Sequence, residues 1–209
     1  GGGLILDARE RFVRYMHYKE VDRPPFIELH AFWPEVYSRW SKEGLPMAIH
    51  ITDNFNVIKY LREYFKFDEM ESIPIDFNPI PRFVPKTLEE NERYKIYIDE
   101  FGITRKELKI HYCMPQWIDF PVKNRKDWER IKNRFDPYDP RRYPKSWSSE
   151  LIEYYEEVDH PVGLTMQGFF DQLWFLMGLK GLLITFFKDP DLIHEIIDFW
   201  ANFLLETIK

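Results

Sequence analysis

Apolar residues recur every three to four positions along much of the chain, which is the spacing of helices that bury one face. The first such stretch follows Asp7-Ala8-Arg9-Glu10, which has the form of a capping box. The last follows Asp189-Pro190, a typical helix start. Its apolar stripe comprises Leu192, Ile196, Phe199, Trp200, Phe203 and Leu204. The pattern predicts helices over residues 7–18, 33–43, 53–65, 125–134, 147–157, 169–177 and from 190 onward.

A second period, of two residues, replaces the helical one in the middle of the chain. Tyr94, Ile96 and Ile98 alternate with polar or amphipathic side chains, and Gly102 follows at a turn. Alternation of this kind is typical of a strand with one buried face. The sequence therefore predicts a β-hairpin or meander inserted over about residues 84–110.

Three other segments, residues 26–30, 72–76 and 162–167, are predicted to be strands lying between helices. The third belongs to the run Pro161–Gly178, whose only charged residue is Asp171. A strand that is buried on both faces and leads into a helix needs few charges. Strands interleaved with helices indicate an α/β fold with parallel pairing, and we expect residues 1–209 to form a single domain.

Composition and charge restrict the classes of function. The chain is 44% hydrophobic and 31% charged, as expected for a folded globular protein. Its net charge of −6 and its lack of a basic block with aromatic residues make a nucleic-acid partner unexpected. The uncharged run between Asp171 and Lys180 is far shorter than the ~20 residues of a membrane span. The sequence has one cysteine, Cys113, and shows no signal-peptide pattern, so we predict a cytoplasmic protein.

Candidate functional residues lie where the predicted strands end. His30 closes the first strand, Asp76 the second, and Gln167 the third. His30 and Asp76 are the candidate catalytic residues, with the neutral imidazole of His30 as a base or ligand. The carboxyl ends of parallel strands share one edge of a sheet, so we expect these three side chains to converge. The alternatives are a histidine that supports its neighbours and an aspartate that forms a turn. The proposed ligand-binding residues are Gln167, Phe169, Phe170, Asp171 and Trp174, although an aromatic stripe at that spacing also suits a core.

The pair His111 and Cys113 has the spacing of two zinc ligands. Zinc requires three or four ligands, and the chain has no second cysteine to complete the site. We therefore predict no metal in this chain.

Several short motifs follow one another in a set order. They are Arg9-Glu10-Arg11-Phe12 with Asp22-Arg23-Pro24-Pro25-Phe26, Asp99-Glu100-Phe101-Gly102, Phe120-Pro121-Val122-Lys123 with Trp128, and Gly168-Phe169-Phe170 with Leu176-Met177-Gly178 and Asp189-Pro190. In order and spacing the chain resembles the N-terminal part of the uroporphyrinogen decarboxylase superfamily, in particular its divergent branch related to methylcobamide methyltransferases. The resemblance implies the N-terminal portion of a (β/α)₈ TIM barrel. It also matches Asp76 to a strand-end aspartate that binds pyrrole N–H groups.

The resemblance implies a function for the complete protein: transfer of a methyl group between a corrinoid and a small acceptor at the barrel mouth. It implies a small or tetrapyrrole-related ligand, a corrinoid-protein partner, and corrinoid or zinc outside this chain. The segment from Glu28 to Glu35 lacks the arginine pair with which decarboxylases bind substrate carboxylates. Decarboxylation of uroporphyrinogen or a smaller acid is therefore the alternative.

A third interpretation is an inactive half-barrel or a module completed by a partner. Three strands do not close a barrel, and a full one takes ~250 residues. We therefore expect an open apolar edge beside the strand from Val162, a partly uncovered stripe on the last helix, and self-association.

Overall fold

The computed structural model describes residues 5–28, 32–45, 54–111, 113–145 and 147–209. Within these ranges the protein is a mixed α/β structure of helices and two small sheets, which form no closed barrel. The chain divides into two compact units. Unit 1 is Gly1–Pro74 with Ser146–Thr165, and unit 2 is Ile75–Lys145 with Met166–Lys209. The single-domain assignment stays a prediction.

The regular elements are, in chain order, α1 (Ala8–Met16), α2 (Pro34–Lys42), α3 (Asn54–Phe65), β1 (Glu71–Ser72), β2 (Lys86–Glu90), β3 (Tyr94–Ile98), β4 (Thr104–Leu108), β5 (Gln116–Asp119), α4 (Arg125–Ile131), α5 (Ser149–Glu157), β6 (Val162–Gly163), α6 (Phe169–Lys188) and α7 (Pro190–Ile208). Single 3₁₀ turns occur at Lys132–Arg134 and Pro140–Arg142.

Short polar side chains begin the helices that the sequence predicts. The carboxylate of Asp7 accepts a hydrogen bond from the Glu10 backbone N–H at 2.7 Å. Asn124, Ser148 and Asp189 cap α4, α5 and α7 in the same way. Each such cap satisfies a backbone donor that has no partner inside the helix, and is worth ~1 kcal/mol. The helix predictions are confirmed at these positions.

The parallel sheet of unit 1 is much smaller than predicted. Only two residues of each strand pair, Glu71 with Val162 and Ser72 with Gly163. The N–H of Ile73 donates to the Gly163 carbonyl at 2.9 Å, and Pro74 then has no N–H with which to continue the ladder. The prediction of long strands over 72–76 and 162–167 is therefore wrong in extent, and the barrel portion is not confirmed.

The predicted strand that starts at Phe26 is also wrong for its described residues, 26–28, which have no strand pairing. The Phe26 backbone instead exchanges two hydrogen bonds with Asp68: its N–H donates to the carboxylate at 2.8 Å, and its carbonyl accepts from the Asp68 N–H at 2.7 Å. Asp68 therefore satisfies the backbone groups of Phe26 that a neighbouring strand would otherwise bind.

That carboxylate is the centre of an ion network that explains the first sequence motif. Asp68 accepts from Arg11 at 2.7 Å and from Arg23 at 2.6 Å, and Arg11 also pairs with Asp22 at 2.8 Å. Burial raises the pKa of Asp68, but the hydrogen bonds from Arg23, the Phe26 N–H and the Arg11 charge outweigh it and leave the pKa below its usual value. The Arg11, Asp22 and Arg23 side chains are structural here.

Unit 2 contains the predicted meander, extended by one strand. β2, β3, β4 and β5 pair consecutively and antiparallel. Asp99 and Gly102 form the turn between β3 and β4, where the Asp99 carboxylate accepts from the N–H groups of Phe101 and Ile103 at 2.9 Å each. Gly102 has a φ of +81°, which favours glycine. The meander prediction is confirmed.

The stripe of α7 is covered, contrary to expectation. Leu192, Ile196, Trp200 and Phe203 are each no more than 2% exposed. They share one core with Trp128, Phe135 and the inner face of α6, and Phe135 packs edge-on against Trp200 at 5.7 Å. Phe199 and Leu204 of the same stripe are half-buried. The expectation of a partly uncovered stripe is therefore wrong for its four innermost residues, which the aromatic residues of the segment 128–135 cover.

Helix α6 is two helical segments joined at a break. Gly178 has φ 68° and ψ 155°, which no helix contains, so the predicted helix over 169–177 ends there and a second runs to Lys188. Among the described residues α6 is the one helix long and apolar enough to cross a membrane by length and composition, and 33% of its most apolar stretch is buried. The second segment exposes Leu179, Leu183, Ile184, Phe186 and Phe187.

A buried arginine organises the loops of unit 2. Arg142 is 1% exposed and donates hydrogen bonds of 2.6–2.8 Å to four backbone carbonyls. Those carbonyls belong to Asp76, Asn78, Arg134 and Asp136. Its guanidinium lies 4.7 Å from the ring centroid of Phe203. One side chain therefore fixes the segment 76–78 against the segment 134–136.

Candidate ligand-binding site

Unit 2 contains a cavity of about 200 Å³, which we call the Gln172 cavity. Its walls come from the loop before β2, the β3–β4 turn, the end of α4 and the first segment of α6. The lining residues are Asn78, Pro79, Phe83, Phe101, Ile103, Ile131, Phe135, Gln167, Gln172, Phe175 and Leu176. None of these described lining residues is charged.

Four phenylalanines make much of the wall a set of aromatic surfaces. Two of them carry an arginine: the guanidinium of Arg134 lies 4.3 Å from the Phe83 ring centroid, and that of Arg82 lies 5.6 Å from the Phe101 centroid. Both cations have other partners. Arg134 donates to the carbonyls of Pro81 and Arg82, and Arg82 pairs with Asp76. These arginines therefore hold the aromatic wall in place and leave the lining neutral.

Three carboxamides supply the polar part of the lining. Gln172 is 7% exposed and is one of the lining residues. Its backbone N–H donates to the Gly168 carbonyl at 2.9 Å, which fixes the residue in the first turn of α6.

Gln167 is fixed through its backbone. Its carbonyl accepts a hydrogen bond from the Trp200 indole Nε1–H at 3.1 Å, while its side chain lines the Gln172 cavity. This one contact ties the cavity to the buried face of α7. Gln167 therefore contributes to the lining from a segment that the Trp200 contact anchors to the core.

Asp76 lies behind the lining and not in it. Its carboxylate accepts from Arg82 at 2.8 Å, and from the backbone N–H and the Nδ2 of Asn78 at 3.0 and 3.1 Å. Burial raises the pKa of Asp76, but the hydrogen bonds from Arg82 and Asn78 outweigh it and hold the pKa below its usual value. Asp76 is thus an ionised carboxylate that orients a lining carboxamide, and through Asn78 it joins the same site as Gln167.

The other predicted site residues have different positions. His30 lies outside the described residues. Phe169, Phe170, Asp171 and Trp174 are exposed and are absent from the described lining. Trp174 packs against Trp117 with ring centroids 5.3 Å apart.

The lining residues that the sequence interpretation missed have a recognisable spacing. Gln172, Phe175 and Leu176 are three and four residues apart on one face of α6, whereas Phe170 and Trp174, each two residues from Gln172, project from the opposite face. The helical period of the segment 169–177 contained that signal, because it separates Gln172 from Phe170 and Trp174.

Metal ligands are not assembled in the part of the chain that the structure describes. No group of three or more histidine, cysteine, aspartate or glutamate side chains there could hold an ion. Cys113 is half-buried and His111 is exposed. The absence of zinc stays a prediction.

Comparison with known proteins identifies no relative. No protein-family model matches the chain, no curated protein matches it, and no solved structure matches it. The geometry of the Gln172 cavity is therefore the evidence on function.

Proposed function

We propose that this chain binds a small organic molecule in the Gln172 cavity. The observation that supports the proposal is the lining itself: an uncharged cavity of about 200 Å³ walled by four phenylalanines, with Gln167 and Gln172 among its lining residues. Ligand pockets are typically apolar and aromatic with a few polar groups that orient the ligand, and this lining has that composition.

The size of the cavity limits the ligand. An apolar cavity of roughly 150 Å³ accepts benzene in another protein, so a cavity of about 200 Å³ suits one six-membered ring with small substituents. A tetrapyrrole or a corrinoid is many times larger. Neither fits within this cavity.

Methyl-labelled NMR on the intact chain tests this proposal with toluene as a probe of occupancy. We expect the methyl signals of Ile103, Ile131 and Leu176, which line the cavity, to shift as toluene is added. The methyl signals of Leu192 and Ile196, buried in the same core but outside the described lining, are the internal control. Unshifted signals from all three lining residues at saturating toluene would refute the proposal.

For the complete protein, we propose that this site belongs to the methyl-transfer chemistry implied by the resemblance. The neutral lining favours a small acceptor over the several carboxylates of uroporphyrinogen, which would be buried without a counter-charge. In this proposal the chain is the N-terminal portion of a TIM barrel, cytoplasmic, served by a corrinoid-protein partner, and inactive alone. Decarboxylation is the alternative.

Activity assays on the complete protein separate these reactions. Methylcobalamin with a small thiol acceptor tests methyl transfer, and uroporphyrinogen tests decarboxylation. Size-exclusion chromatography with light scattering tests the third interpretation, a half-barrel that self-associates or awaits a partner: a stable monomer on dilution would contradict it.

A further inference from the structure

We propose that the Gln172 cavity selects an uncharged planar ring with an amide-like edge, such as a 2-pyridone, a pyrimidinone or an aryl carboxamide. This inference rests on the proposed binding function and adds the chemical class of the ligand. Three properties of the lining support it: the shape of its walls, its lack of charge, and the donor and acceptor groups of its glutamines.

The walls favour a flat ring. Phe83, Phe101, Phe135 and Phe175 present aromatic surfaces around the space that a single ring would fill. Aromatic groups pack against one another in offset or edge-on geometry, and such pairs contribute beyond the burial of area alone. A branched aliphatic molecule would use these surfaces less well.

The lack of charge excludes ionised ligands. None of the described lining residues is charged, and Arg134 and Arg82, which lie over the rings of Phe83 and Phe101, already bind carbonyl groups or Asp76. A carboxylate or phosphate would lose its hydration without gaining a charged partner, which is strongly unfavourable. The ligand is therefore neutral at physiological pH.

The carboxamides define the polar edge of the ligand. A glutamine side chain offers two N–H donors and one carbonyl acceptor from the same group. A ligand that carries an N–H beside a C=O satisfies both functions of Gln172 at once, with Gln167 on the same lining. A ligand with an acceptor alone would leave the Gln172 carbonyl unpaired.

Three neutral or charged single-ring compounds test the inference on the intact chain, with the methyl signals of Ile103 and Ile131 as the readout. The probes are 2-pyridone, 2-fluoropyridine (which has nearly the same shape but no N–H) and benzoate. We expect 2-pyridone to bind at least about fivefold more tightly than 2-fluoropyridine, which corresponds to one net hydrogen bond. Benzoate should not bind at pH 7.

Substitution tests the assigned residue. Gln172→Met keeps the length of the side chain and removes the carboxamide, so it should abolish the preference for 2-pyridone while toluene still binds. Phe170→Leu, at a half-exposed residue absent from the lining, is the matched control and should keep the preference. If Gln172→Met does not fold, the comparison of probes on the unmodified chain still decides.

The outcomes distinguish the two proposals. Binding of toluene without a preference for 2-pyridone, or binding of benzoate as tight as that of 2-pyridone, would overturn the ligand class and leave the binding function standing. An unchanged preference in a folded Gln172→Met protein would overturn the role of Gln172. No shift with any probe would overturn the binding function itself.

Discussion

Replacing Gly178 with alanine should destabilise unit 2, because the residue has both a backbone conformation and a neighbour that exclude a side chain. Its φ of 68° and ψ of 155° lie in a region that is essentially restricted to glycine. A Cβ built on Gly178 would lie 2.3 Å from Cε2 of Phe120 and 2.5 Å from its Cδ2. Real Cβ contacts are not that short, so the ring or the backbone must move.

The expected magnitude combines these two effects. Forcing a non-glycine residue into this region costs ~1–3 kcal/mol. Displacing a packed ring costs a further ~1–3 kcal/mol. The Leu176 carbonyl next to the break also accepts a hydrogen bond from the Val122 N–H at 2.9 Å, so a shift of the backbone disturbs the segment that follows β5. We expect a loss of about 2–6 kcal/mol, or at least about 4 °C in Tm.

Gly181→Ala is the matched control in the same helix. Gly181 has ordinary helical geometry, and its nearest neighbour to a built Cβ is the Cβ of Met177 at 3.8 Å. Alanine there should be neutral or stabilising by up to ~1 kcal/mol. Urea unfolding followed by the fluorescence of the buried Trp128 and Trp200 measures both variants. A Gly178→Ala protein within ~0.5 kcal/mol of the parent would refute the argument.

Three further substitutions or analyses test the remaining structural arguments. Arg142→Met should lower the free energy of unfolding by ~3–5 kcal/mol because it leaves four carbonyls without their donor, whereas the exposed Arg141→Met should be close to neutral. Asp68→Asn should cost ~3 kcal/mol at pH 7. The carboxylate has a lowered pKa in the folded state, so its contribution is complete above the unfolded pKa and is lost as the pH falls through the folded value. The difference between Asp68→Asn and its parent in urea unfolding should therefore shrink below about pH 4, and a constant difference down to pH 2 would contradict the ion network. Metal analysis of protein purified without chelator should find no stoichiometric zinc, and one zinc per chain that is lost in Cys113→Ser would contradict that prediction.

The helices could be predicted because their signals are local. An Asp, Asn or Ser cap lies within three residues of the N–H that it accepts from, and the period of the apolar residues repeats within one element. The meander could be predicted for the same reason, since β3 and β4 are joined by a short turn. The burial of the α7 stripe could not, because its cover comes from Trp128 and Phe135, which are more than fifty residues away in the chain.

The strands of unit 1 depended on distant partners that the sequence did not reveal. An apolar run such as residues 162–167 suits a strand, but only residues with a neighbouring ladder become one. Pro74 has no N–H, so β1 has no further donor for β6 at that position. The N–H and carbonyl of Phe26 form hydrogen bonds with Asp68 and not with a strand. Pro74 and Asp68 are visible in the sequence. Their effect on strand pairing depends on which backbone groups they face in the folded chain, and the sequence does not show that.

The candidate site was predicted in part for a similar reason. Gln167 lines the cavity and Asp76 orients a lining residue, and both were chosen from their positions at predicted strand ends. Gln172 was overlooked beside the more conspicuous Phe169 and Phe170. Which residues of α6 face inward depends on the rotation of the helix about its axis, and its contacts with the rest of unit 2 set that rotation.

Arg142 gives the loops of unit 2 a property that is usually supplied by a bound ion. Four backbone carbonyl oxygens surround the guanidinium of Arg142. Carbonyl oxygens bind structural alkali and alkaline-earth cations in a similar way. Here the cation is covalently attached to the chain. Burial lowers the pKa of Arg142, but a guanidinium starts from so high a value that it remains charged at neutral pH. The segment that carries Asn78 to the Gln172 cavity is therefore assembled by folding alone, and its geometry should be indifferent to chelators and to the supply of salt ions.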